Sequence, residues 1–518
     1  MSTLINIFTT KIIGFFLLIL SFGAVGQASA TTYYVDAIRG NDRSDGSSPA
    51  SAWRSLAKVK NFELRAGDQV LLTAGSIWTE PLTITRSGRA AALISFGVTG
   101  VGPRPRINAG GASEYAVGIL NAEYVSVSGL EITNDGPTAS VRFGVLISQQ
   151  DSGVARGIVV RNMYIHDVRG SNERKDNGGI VFRALSTKRP TRFHDLLIER
   201  NIIWRVDRSG IAGISDQVTR KRWFPSEEVV IRDNYLEDIG GDGIVPRGAD
   251  GALVEHNIVR NAVRRAPGYN VAIWQWSTDN TLIQLNEAAF TRGRWDGQGF
   301  DSDFNSRGTT IAYNFSHDNE GGFVLICSPA RKGSDNLGNS GTVVRDNVSR
   351  GDGARIFQLS GGITNVTIER NVIHVGSKAD VKMVATTEWQ GWASDVRFRK
   401  NLLAVAGTAR YGYEVGRNGP EYILAAGFPN SAGITFEGNS FLGRHVDAPE
   451  DRSALKQPAY REATADWAVP MFDPAKPDGF DAFLVSHRSW MMNMLARELG
   501  RPVELLKARR TSWLEARR

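Results

Sequence analysis

Residues 297–310 read GQGFDSDFNSRGTT, with Asp301 and Asp303 two apart and Phe300 and Ser302 alternating with them. On a strand, residues two apart project from one face, so the two carboxylates stand together, roughly 7 Å apart at Cβ. Three kinds of chemistry fit such a pair. It does acid/base work if repulsion and burial split its pKa values. With Asp296 it offers oxygen ligands to calcium. Otherwise it is a hydrated acidic face.

Strand-like segments opening on a glycine or other residue repeat along the chain: GIVFR from Gly179, GIAGI from Gly210, GIVPR from Gly243, NVAIW from Asn270, GFVLI from Gly322 and ARIFQ from Ala354. Stacked on their first residues, they give an outward row Arg183, Ile214, Arg247, Trp274, Asp303, Ile326, Gln358. Rungs of a sheet lie ~4.8 Å apart, which places Arg247 about 10 Å from Asp303 with Trp274 between them. Cys327 falls in the inward series, as a small core residue. A tryptophan face stacks on a pyranose and an arginine fork holds a carboxylate, so the row suits a sugar polymer. The expected catalytic set is Asp301, Asp303, Arg247 and His317. The expected substrate-binding set is Trp274, Trp276, Arg183, Asn305 and Asp242. Calcium, if bound, falls to Asp296, Asp301 and Asp303. Lys175 and Lys221 lie on loops from which a base could reach the groove.

The elements that position these residues follow from a repeat. An aliphatic residue or Phe, two residues and an Asn recur ten times, ending at Asn162, Asn201, Asn234, Asn257, Asn286, Asn314, Asn347, Asn371, Asn401 and Asn439. Intervals as short as 23 residues are too short for a four-stranded propeller blade and fit one coil of a parallel β-helix. Stacked asparagines can bond backbone at their own bend and at the next coil. The fold expected is all-β, a right-handed parallel β-helix with an N-terminal capping helix over 48–62 and a short α-helical C-terminal tail from about Phe483.

The expected organisation is a signal peptide over 1–30, a cap and first coils over 31–120, β-helix repeats over 121–445, and a linker and helical tail over 446–518. Lys11, the apolar run Ile12–Val25 and Ala28-Ser29-Ala30 carry the signal expectation, and hence a secreted or periplasmic protein. That run is short for a bilayer span, so no stable membrane insertion is expected. The chain of 518 residues has 61 Lys and Arg against 54 Asp and Glu, a net +7, which suits an anionic polymer. No basic-aromatic cluster points to nucleic acid. The single cysteine excludes an intrachain disulfide. A monomer is expected.

Two stretches near the start, YYVDAIRGNDRSDGSSPASAWRSLAKV and LRAGDQVLLTAGSIWTEPLTITRSG, resemble the opening of right-handed parallel β-helix proteins of the pectate-lyase-like superfamily. They are similar to the group containing chondroitinase B and the related alginate lyases. QGFDSD with FSHDNEGGFV resembles the catalytic coil of mannuronan epimerases, which implies a catalytic role for Asp301. Gln298, Asp303 and Ile326 replace that family's Tyr, His and second Asp. GIVPRGADGALVEHN resembles the coil that carries the catalytic Arg of chondroitinase-B-like lyases, which implies that role for Arg247; their Lys one coil earlier is missing here. These resemblances imply a secreted enzyme acting on polysaccharide, possible acidic chains included. The first expectation is a lyase on a uronate-containing polymer. The alternatives are an inverting glycoside hydrolase using Asp301 and Asp303, and a non-catalytic glycan-binding solenoid.

Overall fold

The computed structural model describes residues 30–293, 295–329, 335–415, 423–457, 459–460 and 467–505. Residues 1–29 of the expected signal peptide over 1–30, and the last residues of the expected helical tail, lie outside the described residues.

The chain winds as a parallel β-helix. A representative coil has three strands, Gln298–Ser302, Thr310–Ala312 and Phe315–His317. Each pairs in parallel with its counterpart on the next coil, Gly322–Ser328, Val343–Arg345 and Val348–Arg350. Inward residues stack in rows. Ile231, Val254, Ile283, Ile311, Val344, Ile368 and Phe398 form one such row, each at most 1 % exposed. This continuous apolar column is the core, and its stability grows coil by coil.

The bends are held by the asparagine ladder. Asn234 Nδ2 donates to Asn257 Oδ1 at 2.9 Å and to the Ile198 carbonyl at 3.0 Å, and its own Oδ1 accepts from Asn201 N. The same linkage runs rung by rung from Asn201 to Asn439. The residue before each ladder Asn takes a left-handed conformation, among them Arg200, Asp233, His256, Leu285 and Tyr313, with φ between 55° and 57°. Non-glycine residues resist that region, and the fully bonded amide beside each one compensates the strain. Asn162 itself occupies the left-handed position, at φ 54°, and Met163 takes the rung, giving its N–H to Asn201 Oδ1. The repeat there is shifted by one: Val160, not Val159, pairs with Ile198 in the core row.

Near the N-terminus a helix covers only Leu56–Asn61, with Ser55 capping Lys58 N. Trp53, expected on that helix, instead pairs with Val35 as a β-bridge and stacks on Tyr33 at 4.8 Å. The C-terminal helix spans Phe480–Leu499. It lies along the side of the solenoid instead of over its end. Asp481 pairs with Arg200, Arg488 with Asp233, His487 with Glu287, and Glu498 with His374. Its apolar side, including Leu484, Met491 and Leu495, covers Tyr235, Ile258, Phe315 and Val348.

Candidate active site

Asp301 and Asp303 face outward, as the alternation requires. Their orientation is set from inside the core. Phe300 is fully buried, and Ser302 Oγ accepts from Gln275 Nε2 at 3.0 Å and from Asn339 Nδ2 at 3.0 Å. With both flanking side chains pinned inward, the aspartates can only point out.

The row they join differs from the expected one. Trp274 pairs with Asp301, and Arg247 pairs with Trp276, so Trp276 and not Trp274 stands between Arg247 and Asp303. The NVAIW segment is displaced by two residues because Asn270 still belongs to a loop, its amide bonding the Pro267 and Gly268 carbonyls. The GFVLI segment is displaced by one. Gly322 pairs with Gln298 and Val324 with Phe300. At φ 131°, and with a Cβ there only 1.7 Å from the Arg355 carbonyl oxygen, residue 322 has to be glycine. That single slip reverses the strand's faces. Ile326 turns inward, and Cys327 turns outward beside the aspartates.

One oxygen of Asp301, one of Asp303 and the Cys327 sulfur lie within 4.8 Å of one another. The thiol donates to Asp303 Oδ1 at 3.0 Å and sits 3.9 Å from Asp301 Oδ1. Phe304 N also donates to Asp303 Oδ1, at 2.6 Å. Burial, then repulsion from Asp303 and Asp296, pushes Asp301 well above the usual carboxylate range. Burial lifts Asp303 to about 6, against the opposing pull of the Cys327 and Phe304 donors. Burial and the Asp303 charge lift Asp296 to about 7. Burial and the same acids push the Cys327 thiol up. Near neutral pH this cluster holds protons.

Two clefts meet at Asp303. One, of 300 Å³, is lined by Asp296, Asp301, Asp303, Cys327, Gln358 and the rings of Tyr269, Trp295 and Trp389. The other, of 580 Å³, is lined by Arg174, Lys175, Asp242, Arg247, Trp274 and Trp276 as well as Asp303. Tyr269, Trp295 and Trp389 are 53 %, 38 % and 36 % exposed, free to meet a sugar. The two tryptophans expected as platforms are already covered. Lys175 Nζ lies 4.7 Å over Trp274, and Arg247 lies 3.8 Å over Trp276, whose ring also meets Phe304 at 4.8 Å.

Other expected site residues have structural duties. The Asp242 carboxylate accepts from the Trp274 indole at 3.0 Å and from Arg208, with Lys175 3.4 Å away, so it orients Trp274 instead of meeting substrate. Asn305 is spent on Arg220, Leu337 N, the Val218 carbonyl and Ser277. Arg183 lies two coils before Arg247 on the outward row, bonded to Ser148 Oγ, and stays outside both clefts. His317 is buried under the C-terminal helix, between Asp318 at 2.8 Å and Glu287 at 3.4 Å, away from the acids. The calcium set is not assembled as expected. The third donor converging with Asp301 and Asp303 is a sulfur, which suits softer ions than calcium, whose ligands are oxygens.

Comparison with known proteins adds to this geometry. The family described as "right handed beta helix region" matches residues 107–288. A lacto-N-biosidase of Bifidobacterium longum subsp. longum is 27% identical over 459 residues, 69% of this chain but only 28% of that protein. The crystal structure of the native GH136 lacto-N-biosidase from Eubacterium ramulus has 28% identity and a TM-score of 0.60, covering 68% of this chain and 64% of that one. Its selenomethionine derivative aligns at 26% identity with a TM-score of 0.61, over 78% and 68%. The stacked parallel coils, the asparagine ladder and these likenesses agree: the chain folds as a right-handed parallel β-helix.

Proposed function

We propose that this chain is an exported glycoside hydrolase, cleaving an oligo- or polysaccharide at the junction of the two clefts. The observation that carries the reading is the convergence of Asp296, Asp301 and Asp303 on one cleft, with no cationic partner in contact among the described residues, beside exposed aromatic rings. Glycosidic cleavage needs one carboxyl that still holds its proton and one that is ionised. Asp296, lifted to about 7, is the proton donor to the leaving oxygen. Asp303 is the carboxylate. It titrates lower, its anion is held by the Phe304 N–H and the Cys327 thiol, and it borders both clefts. Asp301, pushed well above the usual carboxylate range, stays protonated beside them.

The Asp301/Asp303 pair suggested by the sequence does not suit inversion. Its nearest oxygens lie within 4.8 Å, short of the ~6.5–9.5 Å that leaves room for a water. β-Elimination is also poorly served. It wants a base beside the C–H proton and a cation on that same sugar's carboxylate. Here the ionised acid and the cation are apart: Arg247 stands two rungs from Asp303, about 10 Å along the sheet. The likeness to lacto-N-biosidases supports hydrolysis as well.

A panel of glycans beginning with lacto-N-biosides, scored for new reducing ends and for unsaturated uronates, tests the reading. Reducing ends without near-ultraviolet absorbance are expected. Unsaturated products would restore the lyase, and binding without cleavage would leave a glycan-binding solenoid. Export is tested by N-terminal sequencing, with the mature chain expected to start near Thr31.

A further inference from the structure

Beyond the cleavage point, the larger cleft carries a cation with nothing to balance it. Arg247 is half-buried, and its Nε is buried and makes no hydrogen bond. Among the described residues it meets no carboxylate. Its guanidinium lies over the face of Trp276, 3.8 Å from the ring centre. The other cations bordering this cleft are paired. Arg174 holds Asp176 at 2.7 Å, and Lys175 sits 3.4 Å from Asp242, which Arg208 also holds. Burying an unpaired guanidinium costs free energy, and loss of solvent around Arg247 already draws its pKa down to about 10. A structure keeps such a charge where a ligand supplies the counter-charge. The fork of a guanidinium held over a ring matches the two oxygens of an oxyanion.

We infer that the Arg247 cleft is a subsite for an acidic sugar, whose carboxylate or sulfate oxyanion sits on the Arg247 fork adjacent to the residue cleaved at Asp303. This rests on the hydrolase reading for the location of the cleavage point, not for the binding itself. Trp276 presents Arg247, holding its plane in place as a positioning residue. Lys175, above Trp274, adds positive potential on the same side of the cleft.

The test reads binding alone, with no turnover required. The full-length protein is titrated with three matched disaccharides: one ending in glucuronic acid, the neutral glucose counterpart, and a sulfated counterpart. The acidic sugars are expected to bind about 10- to 100-fold tighter than the neutral one, as a charge-assisted pair predicts. The preference should shrink with salt. Arg247→Met should remove it without lowering the melting temperature, and Arg247→Lys should keep part of it. The carboxylate and sulfate arms tell which oxyanion is preferred. Equal binding of acidic and neutral sugars, no binding of any, or a preference that survives Arg247→Met would overturn the inference. If the preference holds and no glycan is cleaved, the hydrolase reading fails and the subsite stands.

Discussion

Glu287 and Asp301 are both carboxylates on the outer side of strands that follow one another in the chain, 0 % and 3 % exposed. Around Glu287 the fold supplies Arg260 at 2.5 Å, His487 at 2.6 Å and His317 at 3.4 Å. These partners outweigh burial and hold Glu287 well below its usual range, while Asp318 and Glu287 lift His317 to about 9. Around Asp301 the fold supplies two more acids and a thiol, and all are pushed up. The same burial therefore has two outcomes. With cations in contact, a buried acid fastens the C-terminal helix to the solenoid. Without them, it stores protons at an open cleft. Burial of an acid alone does not identify a site; the missing counter-charge does.

The strongest way to break this comparison is to neutralise each acid in turn. Asp303→Asn and Asp296→Asn should each lower kcat by about 10²–10⁴-fold, the usual worth of one acid or base. Neither should reduce stability. A carboxyl whose folded pKa is raised binds protons that the unfolded chain has released, so its contribution falls as pH rises from about 4 to about 7. Asp296→Asn should therefore raise the melting temperature at pH 8 and leave it unchanged at pH 4. Loss of folding in both variants would reassign the acids to structure.

Glu287→Ala should do the converse. Removing one member of a buried ion cluster costs about 3–5 kcal/mol, read by urea unfolding, with kcat per folded molecule unchanged. The pH trend differs too. The depressed Glu287 stabilises above its ordinary pKa of 4.5 and loses this as pH falls further. The raised His317 stabilises fully below 6.5 and loses this as pH climbs through about 9. His317→Gln should flatten the alkaline side of the melting-temperature profile. If it abolished turnover instead, His317 would belong to the active site after all.

Asn257→Ala breaks one ladder rung between the two regions. It takes the Oδ1 acceptor away from the buried Asn234 side-chain amide and Asn234 backbone N–H, at a cost of about 1–3 kcal/mol in urea unfolding, with kcat retained. The smallest effect is expected from Cys327→Ala. It removes a weak donor from Asp303, so the acidic limb of the kcat/KM profile should move up by less than about one pH unit. A downward move would show that the thiol destabilises the carboxylate.

The coil architecture was legible because a stacked amide ladder demands Asn at every rung, and few other pressures place Asn after aliphatic residues at such intervals. Asp301 and Asp303 were legible because Phe300 and Ser302 declare the strand's faces. The rest of the site depended on register. A glycine forced by the Arg355 carbonyl moved Cys327 from core to cleft, and a loop asparagine moved Trp276 into the row. Nothing local in the sequence marks either event. Trp295 and Trp389 lie on loops between strands, where no periodicity exists to reveal them. Asp296 was visible only as a third acid. His317 was misplaced because it joins a buried cluster around Glu287 that is completed by His487, 170 positions along the chain.

The ladder also has an ending written into its chemistry. Every rung from Asn201 onward passes one donor forward, until Asn439 gives its amide to Asp451 Oδ2 at 2.9 Å. A carboxylate accepts and has nothing to pass on. At the other end Met163 offers only a backbone N–H. The relay thus has a start and a stop that differ from every link between them. Duplicating one interior coil adds a link that both neighbours recognise, whereas a coil appended after Asp451 finds no donor waiting. Lineages of this solenoid should therefore lengthen and shorten from the middle, carrying their two termini along unchanged.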